Sequence, residues 1–435
     1  MSRTTITAAR GRRVWDSRGR PTVEAEVGLA SGAVGRASAP AGASTGSGEA
    51  LELRDGGLAF GGRDVRRALA NVEEIIAPAL LGLDAAEQEA LDARLIELDG
   101  TPDKTRLGAN ATLAVSMAAA HAAAAAHRLP LWRWLGGEGA CTLPLPEIQI
   151  FGGGAHAGRR VDIQDFLIVC PGGQSFAEAL DWTAEVYRAA GDLMAEAGKL
   201  KGVADEGGFW PDFATNEEAL DMLARAIERA GFRPIEQVAI ALDVAATDFG
   251  RGGRYRLGLD GREFDTAGMI ELLGGWLARY PIVSIEDPLA EDDAEGFVRF
   301  TAAHGGRLQV VGDDFLVTDP ARVRDAAARG ACNAVLIKPN QRGTLSEAKA
   351  CWQAARALGM GGIVSARSGE SEDVTIVHLA VGWRVPELKV GSFSRSERMA
   401  KWNEGLRIEE ALGRRARFAG AAPLGQAAAS NVMPA

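Results

Sequence analysis

The run VSIEDPL at residues 283–289 decides the fold, and VVGDDF at 310–315 and AVLIKPNQ at 334–341 repeat its construction. Each is a short apolar stretch that stops at a charged side chain, Glu286, Asp313 or Lys338, before a loop and a helical pattern. Two earlier runs do the same: ADEGGF at 204–209 stops at Glu206, and IALDVA at 240–245 stops at Asp243. In a repeating strand-helix chain such stops converge on one rim, so five scattered charges become one predicted site. A solvated loop charge or a helix cap would explain any one of them alone. Asp243, Glu286 and Asp313, from three neighbouring strands, would form a hard, all-oxygen cage suited to a Mg²⁺-type cation. A lysine beside that cage would serve as a base.

Outward from this stretch, the rhythm of apolar runs alternating with helical stretches holds from Leu143 onward, with helices expected at 175–197, 216–230, 267–278, 321–328, 345–358 and 395–411. That pattern predicts an α/β class fold with a TIM-type barrel over 143–413. Its first two runs, PEIQIF and VDIQDFLIV, are joined by GGGAHAGRR, too short for a crossover helix, so the barrel should open with an antiparallel hairpin. Residues 1–135 are expected to form a smaller α+β capping domain. It opens with a β-meander from Thr4 to Leu29 and continues with helical patterns after Asp64 and near Ala85 and Asn110. The Gly/Ser/Ala-rich segment 36–48 reads as a mobile lid or, on composition alone, a flexible connector. Residues 414–435 lose periodicity and are expected to be a partly ordered tail.

Composition excludes several classes. The chain has 435 residues, 47% hydrophobic and 24% charged, without an apolar run long enough to span a bilayer. A net charge of −10 argues against a nucleic-acid binder. Four cysteines without metal-type spacing are expected to be buried thiols, and the basic N-terminus lacks an apolar signal-like core, so a cytoplasmic protein is expected. His121, His127, His304 and His378 read as structural.

DSRGRPTVEAEV, APAGASTGSGEALELRDGG, LGANATLAVSMAAA, ADEGGF, ALDVAATDF, SIEDPLAEDD, VGDDFLVTD, LIKPNQRGTLSEA, ARSGESED and RSERMAKWNEGLRIEEALG together resemble, in order, the motifs of the enolase family from Arg3 to Gly413. The resemblance implies a capping domain on a ββαα(βα)₆ barrel, a homodimer or higher homo-oligomer, two Mg²⁺ ions per site and dehydration of a 2-phosphoglycerate-like acid to an enol phosphate. It implies Asp243, Glu286 and Asp313 as ligands of the first metal, with Ser44 reaching the second. Lys338 matches the base for the C2 proton, Glu206 the acid for the C3 hydroxyl and Lys389 a substrate-carboxylate lysine. Arg367 with Ser368 matches the phosphate clamp, and His156 and Gln164 stand at family positions. A lysine base near neutral pH needs a lowered pKa, which the metals and Lys389 would supply.

Four departures stand out. Ala366 replaces a histidine before Arg-Ser-Gly-Glu, Asp165 replaces a glutamate, Phe151 replaces an asparagine, and Trp210 replaces a small residue. Grouped in one pocket, they would suit an analogue with extra bulk at phosphorus, with Ala366 opening room and Arg159 and Arg160 meeting added charge. The resulting expectation is conversion of 2-(carboxyphosphono)glycerate to carboxyphosphonoenolpyruvate, as in enolase-like enzymes of phosphonate antibiotic pathways. An ordinary glycolytic enolase is the alternative. A non-catalytic binder would not need Lys338, Glu206 and the metal carboxylates together, and other superfamily reactions would lack the Ser44 lid and the phosphate clamp.

Overall fold

Three antiparallel strands in the order β1 (Ile6–Trp15), β2 (Pro21–Leu29) and β3 (Val34–Ser38) begin the computed structural model, which describes residues 2–43 and 45–427. The expected meander is present. Val23, Ala25 and Val27 of β2 alternate inward onto a helical layer comprising a run at 66–80, α1 (Gln88–Asp99) and α2 (Ala109–Ala126). The alanine-rich α2 is buried because the sheet lies directly on its backbone. A Cβ at Gly35 would stand 2.1 Å from both Ala118 O and Ala122 N, so only glycine facing alanine permits that approach.

Eight strands then close a barrel: β4 (Leu145–Gly152), β5 (Asp165–Val169), β6 (Ala239–Asp243), β7 (Ile282–Glu286), β8 (Gln309–Gly312), β9 (Ala334–Ile337), β10 (Gly361–Ser365) and β11 (Glu387–Ser392). β5 runs antiparallel to both β4 and β6, and the other neighbours are parallel. Two helices, α3 (Phe176–Glu196) and α4 (Asn216–Arg229), fill the connection from β5 to β6. One helix follows each later strand: α5 (Thr266–Arg279), α6 (Ala294–His304), α7 (Pro320–Arg329), α8 (Leu345–Ala357), α9 (Thr375–Trp383) and α10 (Ser396–Leu412). This is the ββαα(βα)₆ order. Local sequence sets several starts: Ser175, Thr215 and Thr344 each accept the backbone N–H three residues on, at Glu178, Glu218 and Glu347.

The capping domain is tied to the barrel where the site lies. Ala41 and Gly369 exchange two backbone hydrogen bonds of 2.8 and 2.9 Å, and buried Lys104 pairs with Glu347 at 3.0 Å. The aperiodic C-terminal segment is ordered further than its sequence suggests. Arg417–Phe418 pairs with Thr142–Leu143, and Leu424 is buried against Leu145, Leu167, Ala239 and Val283 inside the barrel. That contact plugs the barrel end opposite the charged rim. Residues 428–435 lie outside the described residues, and among the described residues no helix is long and apolar enough to cross a membrane.

Candidate active site

Four of the five predicted strand stops converge as expected. Glu206 reaches the same pocket but not from a strand end, because residues 204–208 form a turn in the connection between α3 and α4. Asp243 and Glu286 end β6 and β7, Asp313 and Lys338 follow β8 and β9, and Lys389 lies in β11. Glu206, Asp243, Asp313, Lys338, Arg367 and Lys389 line one pocket. Glu286 sits behind Lys389. The Lys389 ammonium is 2.6 Å from Glu286 Oε2, 2.7 Å from Asp243 Oδ2 and 3.5 Å from Asp165 Oδ2. Gln164 Nε2 donates to Asp243 Oδ2 at 3.0 Å, and Gln341 Nε2 to Asp313 Oδ1 at 2.9 Å. Lys338 Nζ donates to Asp313 Oδ2.

So much buried charge shifts the protonation equilibria. Burial, then the neighbouring Asp243, pushes Glu286 well above the usual carboxylate range. Burial acts the same way on Asp313, but contact with Lys338 outweighs it and holds Asp313 low. Lys338 departs from the sequence-based expectation. Burial would lower it, but Asp313 overrides burial and raises it above the ordinary lysine value. The expected lowering assumed metal charge; without any, the nearest charge on the ammonium is a carboxylate.

The donor set fits a hard divalent cation. Asp243, Glu286 and Asp313 offer carboxylate oxygens, and Glu286 Oε1 and Gln164 Oε1 are buried without hydrogen-bond partners. Lys338 and Lys389 lie against these carboxylates as counter-charges. Among the described residues, the groups close enough to share an ion as they stand are Asp287, Asp313 and Asp314, and His156, Asp165 and Glu206, rather than Asp243, Glu286 and Asp313. Asp287 accepts the Asp313 and Asp314 backbone N–H groups at 3.0 and 2.7 Å and thereby shapes that turn.

A second cluster adjoins the first through Asp165. His156 Nδ1 is 3.0 Å from Asp165 Oδ1, and its Nε2 is 3.7 Å from Glu206 Oε1. Burial disfavours the imidazolium, yet Glu206 and Asp165 outweigh it and push His156 up to about 9. Gln149, absent from the sequence-based candidates, donates to Asp165 and accepts the Gly208 N–H at 2.8 Å. Its period-two spacing from Glu147 on β4 was the available signal.

The third group surrounds Arg367. Its guanidinium meets Glu49 at 2.9 and 3.2 Å and Asn340 Oδ1 at 3.0 Å. Neither partner stood out in the sequence. Ser368 Oγ accepts the Ala43 N–H at 2.8 Å. Ser44, the candidate lid and second-metal residue, lies outside the described residues.

The departures do not share one pocket. Ala366 and Asp165 line it, but among the described residues Phe151, Trp210, Arg159 and Arg160 do not. Phe151 is fully buried and packs edge-on against Phe213 at 5.1 Å. Arg159 turns to Asp248 at 3.6 Å and Arg160 to Asp212 at 3.2 Å, so neither adds positive charge to the pocket lining.

Comparison with known proteins agrees with this geometry. The model of the enolase N-terminal domain matches residues 6–135, and that of the enolase C-terminal TIM barrel domain matches residues 140–426. An enolase of Rubrobacter xylanophilus is 51% identical over 418 residues, covering 96% of this chain and 97% of that protein. An enolase of Acidothermus cellulolyticus is 51% identical over 417 residues, with the same coverage of 96% and 97%. The chain belongs to the enolase family and is a carbon–oxygen hydro-lyase.

Proposed function

We propose that the chain dehydrates 2-phosphoglycerate to phosphoenolpyruvate. The observation that carries this is that Lys338 and Glu206 line one pocket whose wall also holds Arg367, Ser368 and Lys389, in a chain 51% identical to proteins named enolase. Lys338 takes the C2 proton, the C2–H electron pair becomes the C2–C3 double bond, and the C3–O bond breaks as Glu206 donates a proton and water leaves. Arg367 and Ser368 bind the phosphate, and Lys389 meets the substrate carboxylate. Gln164 and Asp165 orient groups around C3, and His156, held by Asp165, lies beside them.

Asp243, Glu286 and Asp313 would hold a first Mg²⁺, with Ser44 toward a second. Bound Mg²⁺ supplies Lewis acidity at the substrate carboxylate and replaces lysine as counter-charge to the carboxylates, the condition under which Lys338 can be neutral. Lys338, Arg367 and Lys389 in the pocket lining suit a small anionic substrate.

The phosphorus-modified analogue is a second reading, supported by Ala366 and Asp165 now that Phe151, Trp210, Arg159 and Arg160 do not line the pocket. The test is a comparison of kcat/KM for 2-phosphoglycerate and its carboxyphosphono analogue with Mg²⁺. Preference for 2-phosphoglycerate supports the proposal, and a reversed preference would replace it. Ala366→His should then narrow the site against the bulkier analogue.

A further inference from the structure

The segment RSERMAKWNEGLRIEEALG at 395–413 supplies no group that lines the pocket, yet its first turns hold the pocket wall. Arg398 on α10 is fully buried. Its Nη1 donates to Arg367 O at 2.7 Å and Val390 O at 2.8 Å, and its Nη2 to Ser368 O at 2.7 Å. One guanidinium therefore ties the carbonyls of the two phosphate-side residues to the carbonyl beside Lys389. A planar fork of fixed donors can span three acceptors on two strand ends, which a lysine cannot. Gly391 makes room for it: with φ at +110°, a Cβ there would stand 3.1 Å from Arg398 Cδ.

Lys401, one turn on and equally buried, extends the same device. Its Nζ donates to Ser371 O at 2.9 Å and pairs with Glu370 Oε2 at 3.1 Å, while Glu370 Oε1 accepts the Arg367 N–H at 2.9 Å. Two buried cations and a carboxylate thus fix the backbone of 367–371 from the barrel side, alongside the Ala41–Gly369 pairing from the capping domain.

We propose that Arg398, backed by Lys401, is the positioning residue that sets the separation between the anion-binding pair Arg367/Ser368 and Lys389, and so how tightly a substrate's phosphate and carboxylate ends are held together. Neither cation touches substrate. The inference rests on the proposed function for its substrate but not for its measurement, because inorganic phosphate binding can be read without turnover.

The experiment uses full-length Arg398→Lys and Lys401→Met with Mg²⁺. It measures phosphate affinity by calorimetry, KM and kcat for 2-phosphoglycerate, Mg²⁺ affinity and the circular dichroism spectrum. In Arg398→Lys, phosphate affinity should weaken and KM should rise about tenfold or more, with kcat, Mg²⁺ affinity and the spectrum little changed, because a displaced clamp loses binding geometry before chemistry. Lys401→Met should move phosphate affinity the same way by less. Wild-type phosphate affinity in folded Arg398→Lys would overturn the inference. If that variant does not fold, unchanged affinity in Lys401→Met overturns it instead. Wild-type protein that binds phosphate but does not turn over 2-phosphoglycerate would refute the proposed substrate and leave the positioning measurement intact.

Discussion

Lys389→Met should destabilise the metal-free protein strongly and in a pH-dependent way. The ammonium it removes lies 2.7 Å from Asp243 and 2.6 Å from Glu286, and none of the three side chains is more than 6% exposed. Removing one partner of a buried ion pair leaves uncompensated charge and costs ~3–5 kcal/mol, while methionine nearly preserves the volume. Glu286 already sits well above the carboxylate range through burial and Asp243, and Lys389 is among the groups restraining it. Without that lysine it should rise further. A carboxyl with a raised folded-state pKa stabilises the native state at low pH and costs stability as pH rises toward the folded value. The deficit should therefore be larger at about pH 8 than at about pH 5.5. Urea denaturation of wild type and variant would be compared at both values, in chelator and in saturating Mg²⁺. Mg²⁺ bound only to the native state adds ~2.7 kcal/mol at a hundredfold excess over Kd, so the variant should recover much of the loss. Equal midpoints for variant and wild type in chelator at both pH values would refute Lys389 as the counter-charge.

Other consequences lie at and away from the pocket. Asp243→Asn removes a charge from the oxygen cage and should weaken Mg²⁺ binding, measured by calorimetry, by about tenfold or more. His378, held down to about 4 by burial, should contribute stability that is complete above its unfolded value and lost as pH falls toward 4. His378→Gln should therefore flatten the acid limb of the stability profile by ~3 kcal/mol, and a limb as steep as wild type would contradict the assignment. Leu424→Ala should cost ~2–4 kcal/mol in urea denaturation, because Leu424 fills the closed end of the barrel.

The barrel and its rim were legible because the signal is periodic. Each strand is a short apolar run, and the residue at its end must sit at one mouth whatever the loops do, so Asp243, Glu286, Asp313 and Lys338 could be grouped without a structure. Glu206, in a turn between α3 and α4, joins them by a route the strand rule does not describe. Helix α9 gave no such signal. All nine of its residues are buried, which removes the polar face that marks an amphipathic helix. Phe151 was misplaced for a local reason. Two residues beyond the inward Gln149 it should share that face, but a register shift between Gln149 and Phe151 turns it toward Phe213 outside the barrel. Trp210, Arg159 and Arg160 were grouped with the pocket by nearness in sequence, which does not fix direction in a loop. Arg398 and Glu49 act through partners 31 and 318 residues away, and no spacing rule reaches that far.

Lys338 as the group that removes the C2 proton is the account's central claim, and exchange of that proton with solvent deuterium tests it most directly. Wild-type protein with Mg²⁺ should wash deuterium into C2 of 2-phosphoglycerate, and Lys338→Ala should slow this by ~10²–10⁴-fold while binding Mg²⁺ and phosphate as before. Exchange at the wild-type rate in a folded, Mg²⁺-binding Lys338→Ala protein would contradict it.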